Sequence, residues 1–419
     1  MKAKNLGIIA DDLTGALDTG VQFSKWGLTS LVALSDAPLP GVACVVVDTD
    51  SRAAPPEVAE ERVRLATRRL GGRLVYKKID STLRGNVGLE IVAAMQELRV
   101  DKAVVAPAFP ANGRTTIGGR LLVRGVPLHQ TGLARDPRNA ITESHIPTLL
   151  QGQIARAVGS VALDVVENGA AAVFEAISRC PESIVVVDVV EQKHLAAVAQ
   201  AVARSEGRWL PVGSAGLAEE LPLALDLVHG LPNPAVPIDG PLSRQATSGQ
   251  PILVVAGSRN EVTAAQIREV FAVLDLPVVE PDPQRLLDTN EGQDEIKRVA
   301  ETAGQCLAGA SCVIITTCFA PRLARGSLDI AVALGQITSQ VMSDRLVGGL
   351  FLTGGDIALQ VCLALRAQAL QPLTEVSPGL PVSLLNGGPW DGLRIITKAG
   401  GFGEKDAILT GIHYLKGES

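Results

Sequence analysis

Two adjacent carboxylates, Asp11 and Asp12, follow directly on the short apolar run Leu6–Ala10 in the stretch IADDLTGALDTG. Acids at the exit of a buried strand can cap a helix, accept hydrogen bonds from hydroxyls or take a proton. Comparable junctions recur in the first half of the chain. VVVDTDSR offers Asp48, Asp50 and Arg52, KKIDSTLRG offers Lys77, Lys78, Asp80, Ser81, Thr82 and Arg84, and PANGR offers Asn112 and Arg114. Arginine grips a carboxylate through a planar fork, whereas Asp and Ser bind hydroxyls. The set suits a small hydroxy acid better than a nucleobase or a lipid. Taken singly, Asp48 or Ser81 reads as a helix cap worth ~1 kcal/mol. Two neighbouring acids exceed one cap, and Arg84 before Gly85 is no capping residue, so the cluster reads as functional.

The second half carries a different chemistry. Three apolar runs end in glycine and lead into helical segments: VVAGSRNE, FLTGGDIA and ITKAGGFGEKD. Glycine lets a backbone approach a ligand closely, and free N–H groups at a helix start attract phosphate. One such turn is ordinary; three together form an anion cradle suited to the phosphates of a nucleotide. No GxxxxGK[ST] occurs, and GGFGEKD lacks the full GxGxxG spacing of a dinucleotide fingerprint. VVVDTDSR resembles the DxDx[TV] motif of haloacid-dehalogenase-like phosphatases, but Arg52 occupies the closing position.

These residues need rigid elements behind them. The repeating unit is a β-branched apolar run, a polar or glycine-bearing turn and an amphipathic helical segment. ACVVVDTDSR precedes PPEVAEERVRLATRRL, RLVYKKIDSTLRGN precedes VGLEIVAAMQEL, and SIVVVDVVEQ precedes KHLAAVAQAVARS. Near-continuous Val/Ile runs alternating with helices read as a parallel sheet buried on both faces. Ligands of such sheets bind beyond the carboxyl ends of the strands. The rhythm breaks over residues 231–250, which are rich in Pro, Gly and Ser, and restarts with PILVVAGSRNE. A length of 419 residues exceeds a typical single domain. The expectation is an α/β protein of two domains with largely parallel sheets covered by helices. Residues 1–230 would bind the substrate and 251–419 the nucleotide, with a linker at 231–250 and the active-site cleft between the domains.

Only 3% of the residues are aromatic, and the net charge is −6 without a basic run. Both features argue against a nucleic-acid partner. No apolar stretch reaches the ~20 residues that span a bilayer, and MKAKNLGIIADD has too short an apolar core for a signal peptide. These points favour a cytoplasmic protein with no membrane partner. The six cysteines form no CxxC pair and the five histidines no HExxH or HxH. Small buried thiols are expected rather than a zinc site.

In order, from about residue 7 to about residue 410, IADDLTGALDTG, DTDSR, KKIDSTLRGNVG, VAGSRNEVTAAQI, TGGDIA and TKAGGFG resemble the four-carbon acid sugar kinase family. The resemblance implies an N-terminal acid-sugar-binding domain and a C-terminal nucleotide-binding domain. It also implies transfer of the ATP γ-phosphate to the terminal hydroxyl of a four-carbon sugar acid. Members include D-threonate, D-erythronate and 3-oxo-tetronate 4-kinases. By position, the resemblance implies substrate contacts at Asp11 or Asp12, at Arg52, and at Asp80, Ser81, Thr82, Leu83 and Arg84. On the ATP side it implies Ser258, the turn Thr353, Gly354, Gly355 and Asp356, and Gly401.

Within this reading, N–H groups of the 353–356 turn and of the loop Gly400, Gly401 to Gly403 hold the phosphates, bridged by Mg2+. Arg84, joined by Arg52, takes the substrate carboxylate. Asp12 is the first choice for general base; Asp356 competes, because TGGD resembles the anion-hole turn of ribokinase-like sugar kinases. Closure over the linker is expected to exclude water. LTGALDTG and KAGGFG lie closer to the threonate and erythronate kinases than to the FTGATDIA and SGNFG of 3-oxo-tetronate kinases. D-Threonate is therefore the first choice and the other two acids are alternatives. Leu13 stands where many members have Phe. The expected partners are a sugar acid and ATP, with a homodimer allowed for. Two other classes remain distinguishable. A two-lobed sugar-acid sensor leaves the glycine turns unexplained, and an oxidoreductase would change nicotinamide absorbance.

Overall fold

The computed structural model describes residues 5–34, 39–135, 140–228, 249–258, 260–320 and 326–418. The chain divides into two compact units, Met1–Val32 with Pro38–Ala235, and Ala33–Ala37 with Val236–Ser419. Apart from residues 249 and 250, the linker expected at 231–250 lies outside the described residues.

The first unit is built on β1 (Leu6–Ala10), β2 (Ser30–Ala33), β3 (Cys44–Asp48), β4 (Leu74–Lys78) and β5 (Lys102–Ala106). A small antiparallel sheet follows, of β6 (Arg114–Ile117), β7 (Arg120–Val123) and β8 (Val126–Pro127). The chain then returns to the main sheet through β9 (Val158–Val161), β10 (Ile184–Val187) and β11 (Trp209–Gly213). The strand order is β2-β3-β1-β4-β11-β5-β10-β9. The registered pairs from β3 through β9 are parallel. Every residue of β1, β10 and β11 is buried. Successive side chains point to opposite faces, so both faces of the sheet are covered. The core includes Ile9, Val45, Val105, Val186, Leu210 and Val212.

The second unit contains β12 (Ile252–Ala256), β13 (Val278–Val279), β14 (Cys312–Thr316), β15 (Gly349–Thr353), β16 (Ala369–Glu375), β17 (Pro381–Asn386) and β18 (Arg394–Lys398). Their order is β13-β14-β12-β15-β18-β17-β16. The pairs from β13 to β18 are parallel, and β17 runs antiparallel to both β18 and β16. Val254, Ile314, Phe351, Ile396 and Ile412 pack in its core.

All six cysteines are free, and Cys44, Cys312 and Cys362 are buried. Burial pushes each of these three thiols up to about 12, which leaves them as inert small hydrophobes. Among the described residues, no helix is long and apolar enough to cross a membrane.

Candidate active site

Parallel pairing of β3, β1 and β4 places their carboxyl ends side by side on one edge of the first unit. The DTDSR segment after β3 is stitched to the exit of β1. The Thr49 hydroxyl donates to the Ala10 carbonyl at 2.8 Å, and the amides of Ser51 and Arg52 donate to the Asp11 carbonyl at 3.0 and 3.1 Å. Beneath this segment Lys77 pairs with Glu90 at 2.7 Å, both side chains being buried. Glu90 also accepts from the Ser51 hydroxyl at 2.7 Å. Burial pushes the Glu90 carboxyl up, and Lys77 opposes that shift.

This bracing aims Arg52 at the two acids that open the chain. Its Nε and Nη2 donate to Asp11 at 2.7 and 2.9 Å, and its Nη1 and Nη2 donate to Asp12 at 2.5 and 2.6 Å. Asp80 lies 3.9 Å from the same guanidinium. Asp12 is also the N-cap of the helix Leu13–Ser24, accepting from the Gly15 amide at 3.0 Å and the Thr14 hydroxyl at 2.7 Å. Four donors thereby occupy the roughly four lone-pair sites of the Asp12 carboxylate. A carboxylate so filled has no lone pair left for a substrate hydroxyl. Burial alone would raise the Asp11 carboxyl, but Arg52 and Lys78 outweigh it and hold Asp11 below the usual range. Asp48 behaves oppositely: burial and the neighbouring acids push it well up.

The next segment winds around Asp80. Its carboxylate accepts from the Thr82 hydroxyl at 2.5 Å, from Arg84 Nε at 2.6 Å and from the Arg84 amide at 3.3 Å. Leu83, fully buried, is held at φ +60°, a left-handed conformation that costs about 1–2 kcal/mol for a residue with a side chain. Gly85, at φ +93°, lets the chain pass Arg52: a Cβ there would stand 3.0 Å from the Arg52 carbonyl oxygen. Ser81 accepts from Arg114 Nη1 at 2.8 Å. Burial pulls the Arg114 guanidinium down to about 10, with Asp80 opposing. The edge therefore brings Asp11, Asp12, Arg52, Asp80, Ser81, Thr82 and Arg84 into one charged network. It recruits two further residues, Lys78 and Arg114.

This network has a pH signature. Burial raises the Asp80 carboxyl, but Arg84 and Arg52 lower it further, to well below the ordinary value. A depressed native pKa stabilises the fold fully above the unfolded carboxylate range near ~4, and the contribution is lost as pH falls through the native value. Acid unfolding of Asp80→Asn should accordingly be shallower with pH below about 4 than that of the wild type. Denaturant melts across that range measure the slope.

In the second unit β12, β15 and β18 are consecutive parallel neighbours, so the three glycine turns leave adjacent strands on one edge. Ser258 stands between them. A Cβ on Gly400 would run into Ser258 Oγ, and one on Gly354 would lie 3.6 Å from Ser258 Cβ. The Gly354 amide donates to the Lys398 carbonyl at 2.8 Å, tying the two turns together. Gly354, at φ +107°, is the N-cap of the helix Gly355–Ala364 and supplies no side-chain cap. First-turn N–H groups of a helix without a side-chain cap are the kind that bind phosphate. Asp356, half-buried, lies in the same first turn. Thr353 is buried at the end of β15, with its hydroxyl 3.4 Å from that of Thr263. Gly401 and Gly403 complete the loop after β18, which rests on Lys398 and Gln266.

Gly400→Ala should force Ser258 aside and raise the KM for a phosphate-bearing ligand about tenfold, the equivalent of one hydrogen bond to a charged group. Steady-state kinetics in nucleotide and acid separately would reveal whether the effect is confined to the nucleotide.

Residues 6–221 match the signature of a sugar-binding N-terminal domain, and residues 253–408 that of a nucleotide-binding C-terminal domain. A D-threonate kinase of Salmonella typhimurium is 36% identical, covering 98% of each chain. A D-erythronate kinase of Heliobacterium modesticaldum is 34% identical, over 98% of this chain and 97% of its own. A solved Haemophilus influenzae structure, 23% identical, has the same fold, with a TM-score of 0.70 over 98% of this chain and 99% of its own. Near-full-length likeness to these kinases, with both domain signatures in order, places the chain in the four-carbon acid sugar kinase family.

Proposed function

We propose that this chain is an ATP-dependent kinase acting on the terminal hydroxyl of a four-carbon sugar acid, with D-threonate as the first substrate and D-erythronate or 3-oxo-tetronate as alternatives. The observation that carries the reading is the cradle on β12, β15 and β18, where three glycine turns meet around Ser258. A Cβ would fill that space, which suits phosphate. The segment 1–230 is assigned to the acid and 251–419 to the nucleotide.

On the acid side, Arg84 takes the substrate carboxylate while keeping its pair with Asp80. Ser81, Thr82 and the backbone at Leu83 hold the hydroxyls. Asp11, Asp12 and Arg52 fix this edge through their mutual bonds instead of contacting the carboxylate themselves. On the nucleotide side, Ser258, Thr353, Gly354, Gly355, Gly400, Gly401 and Gly403 hold the phosphates.

Asp356 is assigned the proton of the attacking hydroxyl. As the new O–P bond forms, the bond from the γ-phosphorus to the ADP oxygen breaks, ADP leaves and the hydroxyl proton moves to the carboxylate. Among the described residues, no three His, Cys, Asp or Glu side chains gather as a metal-ligand set. Mg2+, which keeps several waters and takes phosphate oxygens, fits such a site as a companion of the nucleotide, supplying charge neutralisation when bound.

ADP release from ATP should be measured with D-threonate, D-erythronate, 3-oxo-tetronate and an uncharged tetritol. The account expects the highest kcat/KM with D-threonate and little turnover of the tetritol. ADP release with none of the acids, or equal release with the tetritol, would contradict it.

A further inference from the structure

The glycine loop after β18 stands on two buried polar side chains that phosphoryl transfer does not itself use. Lys398, the last residue of β18, is 1% exposed. Its Nζ donates to the carbonyls of Ala399 at 2.9 Å, Phe402 at 3.1 Å and Gly400 at 3.3 Å, with the Thr263 hydroxyl at 3.4 Å. Gln266, fully buried on the helix Glu261–Val273, sends Nε2 to the carbonyls of Glu404 at 2.7 Å, Phe402 at 3.0 Å and Gly403 at 3.2 Å. Five loop carbonyls are thereby turned inward.

In a trans peptide the carbonyl and the following N–H point in opposite directions, and no peptide bond described here is cis. Drawing in the carbonyls of Ala399, Gly400, Phe402, Gly403 and Glu404 therefore aims the N–H groups of Gly400, Gly401, Gly403, Glu404 and Lys405 the other way. Without such an anchor, a stretch with three glycines would lose more conformational entropy on being ordered by a ligand.

We infer that Lys398 and Gln266 are positioning residues of the nucleotide site, a buried pedestal that points the loop N–H groups at phosphate oxygens. The inference rests on the ATP reading of the cradle.

It has a protonic consequence. Burial pulls the Lys398 amine down to about 7. Thr263 and Gln266 on the adjoining helix and Thr353 on β15 are not titratable. The Cys318 thiol, on the exit of β14, is itself pushed up by burial and stays neutral. An anion over the loop favours the charged ammonium, so nucleotide binding raises the Lys398 pKa and takes up a proton. On this account, affinity is greatest below the free-protein value and falls as pH rises through it.

ADP binding to the full chain, without acid, tests this by calorimetry at slightly alkaline pH in two buffers of different ionisation heat. Lys398→Met should weaken ADP about tenfold or more, and it should abolish the proton uptake that the wild type shows relative to it. Its melting curve would establish that it folds, and the KM for the sugar acid should stay within about twofold. Gln266→Leu should also weaken ADP but keep the proton uptake. This second variant decides the matter if Lys398→Met does not fold. Wild-type ADP affinity in a folded Lys398→Met, or an equal loss for ADP and acid in either variant, would overturn the inference. A wild type that binds no ADP overturns the ATP reading and the pedestal with it. One that binds ADP but phosphorylates no acid overturns only the substrate reading, and the ADP comparison still decides the pedestal.

Discussion

Arg52→Met is expected to cost about 3–5 kcal/mol of stability and to remove phosphorylation of the acid. The guanidinium is only 14% exposed and bonds Asp11 and Asp12 together, with Asp80 at 3.9 Å. Removing it leaves partly buried carboxylates that repel one another, and such groups cost far more when one partner is lost than the intact pair contributes. Lys78 near Asp11 and Arg84 on Asp80 limit the damage without replacing the fork. Arg52→Lys should recover only part of the loss, because a point charge cannot bridge two carboxylates bidentately. Acidity separates this cause from lost packing. With Arg52 gone, the depressed pKa values of Asp11 and Asp80 rise, so the deficit should be full above the carboxylate range and shrink as pH falls. Denaturant unfolding at several pH values measures this; a deficit that does not change with pH would mean that packing, not charge, holds the edge.

Asp356→Asn is expected to lower kcat by about two to four orders of magnitude, the usual contribution of a general base, with the KM for ATP little changed. Asp356 sits in the first turn of an uncapped helix beside the proposed phosphate site. Asp12 has its lone pairs filled by Thr14, Gly15 and Arg52. Asp12→Asn should therefore act through stability and the KM for the acid, because an amide cannot accept from both sides of the Arg52 fork. Steady-state kinetics on both variants, with melting curves alongside, separate the roles. Near-normal turnover in Asp356→Asn would place the base elsewhere.

Much of the scaffold was legible in the sequence, because local patterns determine it. The apolar run Leu6–Ala10 is β1, and the segment VGLEIVAAMQEL is the helix Val87–Leu98. The strand order was not legible. β11, with Pro211 in its middle, reads poorly as a central strand, yet it lies between β4 and β5, meeting β4 only through Val212 and Gly213.

At the candidate site, residue types and strand exits identified which side chains gather, but not which of them satisfy one another. Arg52 lies 40 and 41 residues from Asp12 and Asp11, and only the β3-β1-β4 adjacency makes it their partner instead of a free grip for substrate. The pedestal left a faint signal. Thr263, Gln266, Ile267 and Val270 form one buried face of their helix, so a glutamine at a core position marks a polar group with a partner to find. A lysine closing the apolar strand RIITK just before glycine is the matching half.

The most direct test of the central claim is the phosphorus NMR spectrum of the product formed from ATP and D-threonate by the wild-type chain. The account predicts ADP and one new phosphomonoester resonance, split into a triplet by the two protons of the terminal carbon. A doublet would place the phosphate on a secondary hydroxyl, and free phosphate alone would mean hydrolysis; either result contradicts terminal phosphorylation of a four-carbon acid.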